Sequence, residues 1–146
     1  MIRGSCLCGS VRFEIDRAEG PFELCHCTRC RKVSGSAFFS GLYVDRQDLR
    51  LVSGRERVQS FEAPILRNPP AYRVCFCGRC GSPLPDVLGD SPQVEIPAGL
   101  LDDAPGIAPD KHIFVEVKSP WFHIGDDLPQ LTRQQIYDHR AALGED

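Results

Sequence analysis

The sequence predicts a mainly β fold, a single domain over residues 1–146 with a small helical content, and three observations carry that prediction. Short stretches alternate apolar and polar residues, as in Val11-Arg12-Phe13-Glu14-Ile15-Asp16, the pattern of a strand with one buried face. Breaks rich in glycine and proline separate these stretches, at Glu19-Gly20-Pro21, Asn68-Pro69-Pro70 and Leu101 to Pro109. Helix signals are confined to one turn after Thr28 and to the last segment before Gly144, and no heptad, repeat or interdomain linker intervenes.

Taken in order, Val11 to Asp16 turns Val11, Phe13 and Ile15 one way and Arg12, Glu14 and Asp16 the other, a half-buried strand. Phe22 to Cys25 extends briefly into a run of cysteines. Thr28 to Val33 forms a helical turn that brings Cys27 and Cys30 to one face, ended by Gly35. Aromatic and β-branched residues from Ser36 to Val44 read as a strand. Leu49 to Val52 and Arg57 to Phe61 flank Ser53-Gly54 and predict a hairpin. Tyr72 to Cys77 and Val94 to Ile96 are further strands. His112 to Lys118 alternates again, with Ile113, Val115 and Val117 on one face. Thr132 followed by Gln135 is a capping box, and Leu131 with Ile136 a hydrophobic staple, so a short helix runs from about 133 to 143.

A chain of 146 residues with 25% charged residues and a net charge of -3 has no basic footprint for nucleic acid. No apolar run approaches the roughly 20 residues that cross a bilayer. The N-terminus carries no charged-then-apolar leader, so the expected location is the reducing cytoplasm. There, eight cysteines point to metal or catalytic chemistry rather than to disulfides.

Their spacing divides them. Cys6-x-Cys8 and Cys77-x-x-Cys80 make four ligands, enough to close a tetrahedral structural site. Glycines in Cys77-Gly78-Arg79-Cys80-Gly81 permit the tight turn that aims both sulfurs at one ion. Cys25, Cys27 and Cys30 make three, which leaves one position open for chemistry. Two Zn²⁺ ions per chain are expected, since zinc is redox-silent and suits tetrahedral thiolates, although four thiolates also accept iron. A fourth ligand from elsewhere would make the triplet structural instead. Cys75 is the rival ligand, otherwise a small buried hydrophobe or a redox partner. His26 is a supporting residue rather than a ligand, and His112 a strand residue. His123 and His139 lie at the surface. Trp121 is an apolar anchor or a pocket wall. Arg29, Arg31 and Lys32 are available to an anionic ligand.

Ser5-Cys6-Leu7-Cys8-Gly9, Cys25-His26-Cys27-Thr28-Arg29-Cys30-Arg31-Lys32, Gly35-Ser36-Ala37-Phe38, Cys77-Gly78-Arg79-Cys80-Gly81-Ser82, and His112 to Val115 with Lys118-Ser119-Pro120-Trp121 resemble the glutathione-dependent formaldehyde-activating family. The likeness runs from about residue 3 to about 130. It implies a two-sheet β fold with a zinc-ribbon-like structural site at Cys6, Cys8, Cys77 and Cys80, and a catalytic zinc on Cys25, Cys27 and Cys30. It also implies the family's activity, condensation of glutathione with formaldehyde, a carbon–sulfur lyase reaction run in reverse. Cys75 falls outside the family's ligand pattern. The competing reading is a non-catalytic zinc-stabilised scaffold or interaction module.

Overall fold

The computed structural model describes residues 1–66 and 68–144. The chain forms two compact units, one of Met1–Gly20 and Leu42–Ile107, the other of Pro21–Gly41 and Ala108–Asp146. The first opens with β1 (Ile2–Ser5) and β2 (Arg12–Ile15), and the second with β3 (Phe22–Cys25) and α1 (Thr28–Ser34). β4 (Phe39–Asp45) leads the chain back into the first unit. There follow β5 (Leu49–Ser53), β6 (Val58–Glu62), β7 (Arg73–Cys77), β8 (Pro83–Leu84) and β9 (Gln93–Pro97). β10 (Lys111–Ile113), β11 (Gln130–Leu131) and α2 (Arg133–Ala142) complete the second unit. Among the described residues the strands group into three sheets rather than the two expected, while the mainly β class with its C-terminal helix stands. No helix among them is long and apolar enough to cross a membrane.

In the first unit, β2 lies between β1 and β5, antiparallel to both, and β7 lies between β6 and β8. The expected hairpin between β5 and β6 is therefore absent. Gly54 takes φ +83 and a 3-10 turn over Arg55–Arg57 follows it, so the two strands diverge to separate partners. A buried cluster of Cys6, Val11, Cys75, Cys77 and Leu84 joins the two sheets of this unit.

In the second unit β10 runs parallel to both β3 and β11, with Ile113 opposite Cys25 and Leu131. Paired residues share a face of a sheet, so Cys25, Ile113 and Leu131 form a row against which the fully buried Ile136 of α2 packs. The Thr132–Gln135 capping box is present, with Thr132 N–H donating to Gln135 Oε1 at 2.8 Å. The expected strand from His112 to Lys118 stops at Ile113. Phe114 turns to φ +58, and Val115–Val117 close a 3-10 turn instead, so the alternation there does not mark a strand. Glu23, 3% exposed, is held between Lys111 Nζ at 3.4 Å and Arg140 Nη2 at 3.0 Å, which ties α2 to β3.

Candidate metal centres

Cys6, Cys8, Cys77 and Cys80 bring their four sulfurs within 4.8 Å of one another. Two local turns place them. Gly9 at φ +76 lets its N–H reach Cys6 O at 2.9 Å, and Gly81 at φ +78 lets its N–H reach Cys77 O at 2.8 Å. Backbone N–H groups then point at sulfur: Val11 to Cys6 at 3.3 Å and Arg79 to Cys77 at 3.4 Å. Cys6–Cys8 and Cys8–Cys77 sulfurs are 3.6 and 3.8 Å apart. With zinc–sulfur bonds of about 2.3 Å, the edge of a tetrahedral four-thiolate site is about 3.8 Å, so the group has the dimensions of such a site. Ser82 Oγ and its backbone draw the Cys80 thiol down to about 5, and Ser10 does the same for Cys8 in direction. Burial raises Cys6. All eight cysteines are free thiols.

Cys25, Cys27 and Cys30 form a second group within the same 4.8 Å limit, and no fourth His, Cys, Asp or Glu among the described residues joins it. Cys25 ends β3 beside Ile113, and Cys27 is the N-cap of α1, its sulfur accepting from Cys30 N–H at 3.3 Å. Gly35, at φ +64, caps the other end through Arg31 O at 2.8 Å. Hydrogen bonds from Cys25 and Cys30 push the Cys27 thiol down to about 2. In return Cys25 rises to about 12 and Cys30 rises further. Three thiolates this close repel one another, so ionisation of one opposes ionisation of the others. A divalent cation would let all three ionise. Both cysteine groups thus could hold a metal ion and are compatible with zinc.

Cys75 belongs to neither group. Its sulfur donates towards Asp86 Oδ1 at 3.4 Å, and burial together with that carboxylate pushes it up to about 11. His26 lies between two of the triplet cysteines, yet extended backbone at Cys25 and Cys27 sends its side chain to the opposite face. There it packs against Phe38 and Phe122, with ring centroids at 5.4 and 6.0 Å. Its Nε2 lies 2.8 Å from His112 Nδ1, and His112 Nε2 lies 2.9 Å from Asp126 Oδ2. Sequence reasoning left Asp126 unmentioned, because nothing local links it to residues 14 and 100 positions away.

Of the cations beside the triplet, Lys32 is exposed, while Arg31 turns inward and donates from Nη1 to the buried Ser119 Oγ at 2.8 Å. Trp121 is 71% exposed, and His123 and His139 are exposed as expected. Sequence reasoning also passed over Arg133 and Phe114. The Arg133 guanidinium stands 5.9 Å from the Phe114 ring centroid, and Phe114 packs against the cluster that contains Cys25.

Residues 1–117 match the profile of a family described as glutathione-dependent formaldehyde-activating enzyme. A curated protein of Halomonas elongata, provisionally named a glutathione-dependent formaldehyde-activating enzyme, is 32% identical over 129 residues, covering 85% of this chain and 81% of its own. The crystal structure of a Rhodobacter sphaeroides protein, a structural genomics target, superposes with a TM-score of 0.54 at 20% identity. That match covers 89% of this chain and 99% of the other, and shows a shared fold.

Proposed function

The chain belongs to the family of glutathione-dependent formaldehyde-activating enzymes, and on that premise we propose that it joins a small thiol, glutathione, to formaldehyde at Cys25, Cys27 and Cys30. The reaction is that of a carbon–sulfur lyase run towards synthesis. The observation that carries this reading is a group of three sulfurs within 4.8 Å that no fourth protein ligand completes among the described residues. A zinc ion on those three would supply a Lewis acid and lower the pKa of a thiol beside it.

The bond changes are simple. The thiol gives up its proton, a sulfur lone pair forms the new C–S bond to the aldehyde carbon, and the carbonyl π pair moves to oxygen. That oxygen then takes a proton, so RSH and CH₂O become RSCH₂OH. The chain's own part is to hold the three sulfurs rigidly: Cys27 by the helix cap, Cys25 by its pairing with Ile113, and Cys30 by α1. Ile113 and Ile136, 4% and 0% exposed, keep water from the inner side of the group. Cys6, Cys8, Cys77 and Cys80 would hold a second zinc with no vacant position, bracing segments 69 positions apart. A cytoplasmic setting, rich in reduced glutathione, suits eight free thiols.

The test is formation of S-hydroxymethylglutathione by zinc-loaded protein, followed by NMR with ¹³C-formaldehyde and glutathione. Adduct formation faster than the uncatalysed reaction is expected. A rate no higher than that without protein, with two zinc ions bound, would leave a non-catalytic zinc-stabilised module.

A further inference from the structure

His26 stands between Cys25 and Cys27, and β10 holds it twice. Its backbone N–H donates to Ile113 O at 3.0 Å, and its Nε2 lies 2.8 Å from His112 Nδ1. Neighbouring residues of one strand therefore fix both the backbone and the side chain of the residue that separates two of the three sulfurs. Ile113 shares a face with Cys25, and strand alternation turns His112 to the other face, where the His26 ring also lies. Phe38 and Phe122 bound that ring, at 5.4 and 6.0 Å between centroids.

His112 is anchored in turn. Its backbone N–H donates to Pro129 O at 2.8 Å, and its Nε2 donates to Asp126 Oδ2 at 2.9 Å. The other oxygen of Asp126 accepts the Leu128 N–H at 3.0 Å. A carboxylate only accepts, so Asp126 selects the tautomer of His112, and that tautomer sets which way the His26 ring must donate. Both imidazoles are fully buried, and His26 Nδ1 has no partner among the described residues. Apolar side chains of like size would fill the same space with no polar group to satisfy. What the hydrogen bonds add over such contacts is direction.

We propose that His112 and Asp126 are positioning residues of the three-sulfur site. Through His26 they fix the turn of the chain between Cys25 and Cys27, and so hold those sulfurs at the spacing a metal ion needs, without touching the ion. This rests on the triplet holding a metal, as in the function proposed above. Three neighbouring thiolates repel, so a freely turning segment would swing them apart before an ion arrives, and a site with three protein ligands has few bonds to offset that loss. The four-sulfur group has no such chain. Its sulfurs meet the backbone N–H groups of Val11 and Arg79 and the hydroxyls of Ser10 and Ser82, all close in sequence.

The test is ¹¹³Cd NMR of the cadmium-substituted protein, joined to competition for cadmium with a chelator. The resonance missing from Cys27→Ser identifies the triplet. His112→Phe keeps a ring without its hydrogen bonds, His112→Gln restores a donor and an acceptor, and Asp126→Ala removes the exposed end of the chain. In His112→Phe the triplet resonance is expected to shift and its affinity to fall about 10-fold or more. A smaller fall is expected in Asp126→Ala and partial recovery in His112→Gln, with the four-sulfur resonance and affinity unchanged throughout. An unchanged triplet in His112→Phe, or an equal loss at both sites, would overturn the proposal. Should His112→Phe not fold, Asp126→Ala decides: an unchanged triplet resonance overturns it, as does a parent that gives no triplet resonance. Formaldehyde plays no part in the measurement, so a parent with both resonances and no condensation activity sinks the catalytic reading and leaves the positioning role standing.

Discussion

His26 Nε2 lies 2.8 Å from His112 Nδ1, and the two residues are 0% and 1% exposed. Asp126 accepts from His112 Nε2 at 2.9 Å, because an ionised carboxylate has no proton to give. With both rings neutral, His112 Nδ1 is then the acceptor and His26 Nε2 the donor, which leaves His26 Nδ1 as a buried lone pair without a partner among the described residues. Burial first, together with the charges of Lys118 and Arg31, lowers the His26 pKa to about 4 from an ordinary 6.5.

A pH dependence follows from that depression. Between pH 6.5 and about 4 the unfolded chain binds a proton that the folded His26 refuses, so this residue's contribution to stability is present above 6.5 and is lost as pH falls towards 4. NMR of the His26 ring in zinc-loaded protein is expected to show no titration between pH 8 and 5. A midpoint near 6.5 would contradict the buried hydrogen-bonded chain.

Glu23 is a buried carboxylate between two cations. Replacing it leaves Lys111 and Arg140 without their shared partner, and breaking a buried pair on one side costs about 3 kcal/mol. Glu23→Ala is expected to lower the urea midpoint accordingly and to loosen α2 first, seen as faster amide exchange at Ile136. An unchanged midpoint would show that the triad does not hold the helix.

Gly4 lies in β1 opposite Phe13, whose ring is 1% exposed. A Cβ at position 4 would stand 2.2 Å from Phe13 Cζ, inside any permissible contact. Gly4→Ala is expected to destabilise the protein by about 1–3 kcal/mol through overpacking, measured by denaturant titration. Wild-type stability would mean that the ring can move aside.

The division of the thiols into four and three was legible because the spacing within each motif sets which sulfurs can meet, and local turns carry that information. The strand at Val11 to Asp16 was legible for a like reason, a strict alternation with one wet face. The same alternation misleads at His112 to Lys118, where Phe114 adopts a backbone conformation that no pattern of polarity announces. Pairing of β5 with β2 and of β6 with β7 is a matter of distant partners, invisible to a turn signal at Ser53-Gly54. β1 was overlooked because four residues with a glycine and a serine carry little pattern. The His26–His112–Asp126 chain and the stacking of Arg133 on Phe114 are tertiary facts: the sequence shows the residue types but not which way they face.

In the proposed function three sulfurs serve one ion and four serve another. Zinc counted by mass spectrometry of the native protein, in the parent and in Cys27→Ser, tests that most directly. Two zinc ions are expected in the parent, one in a folded Cys27→Ser, and no glutathione-dependent consumption of formaldehyde by the variant. A Cys27→Ser protein that unfolds, keeps both ions or retains full activity would contradict it.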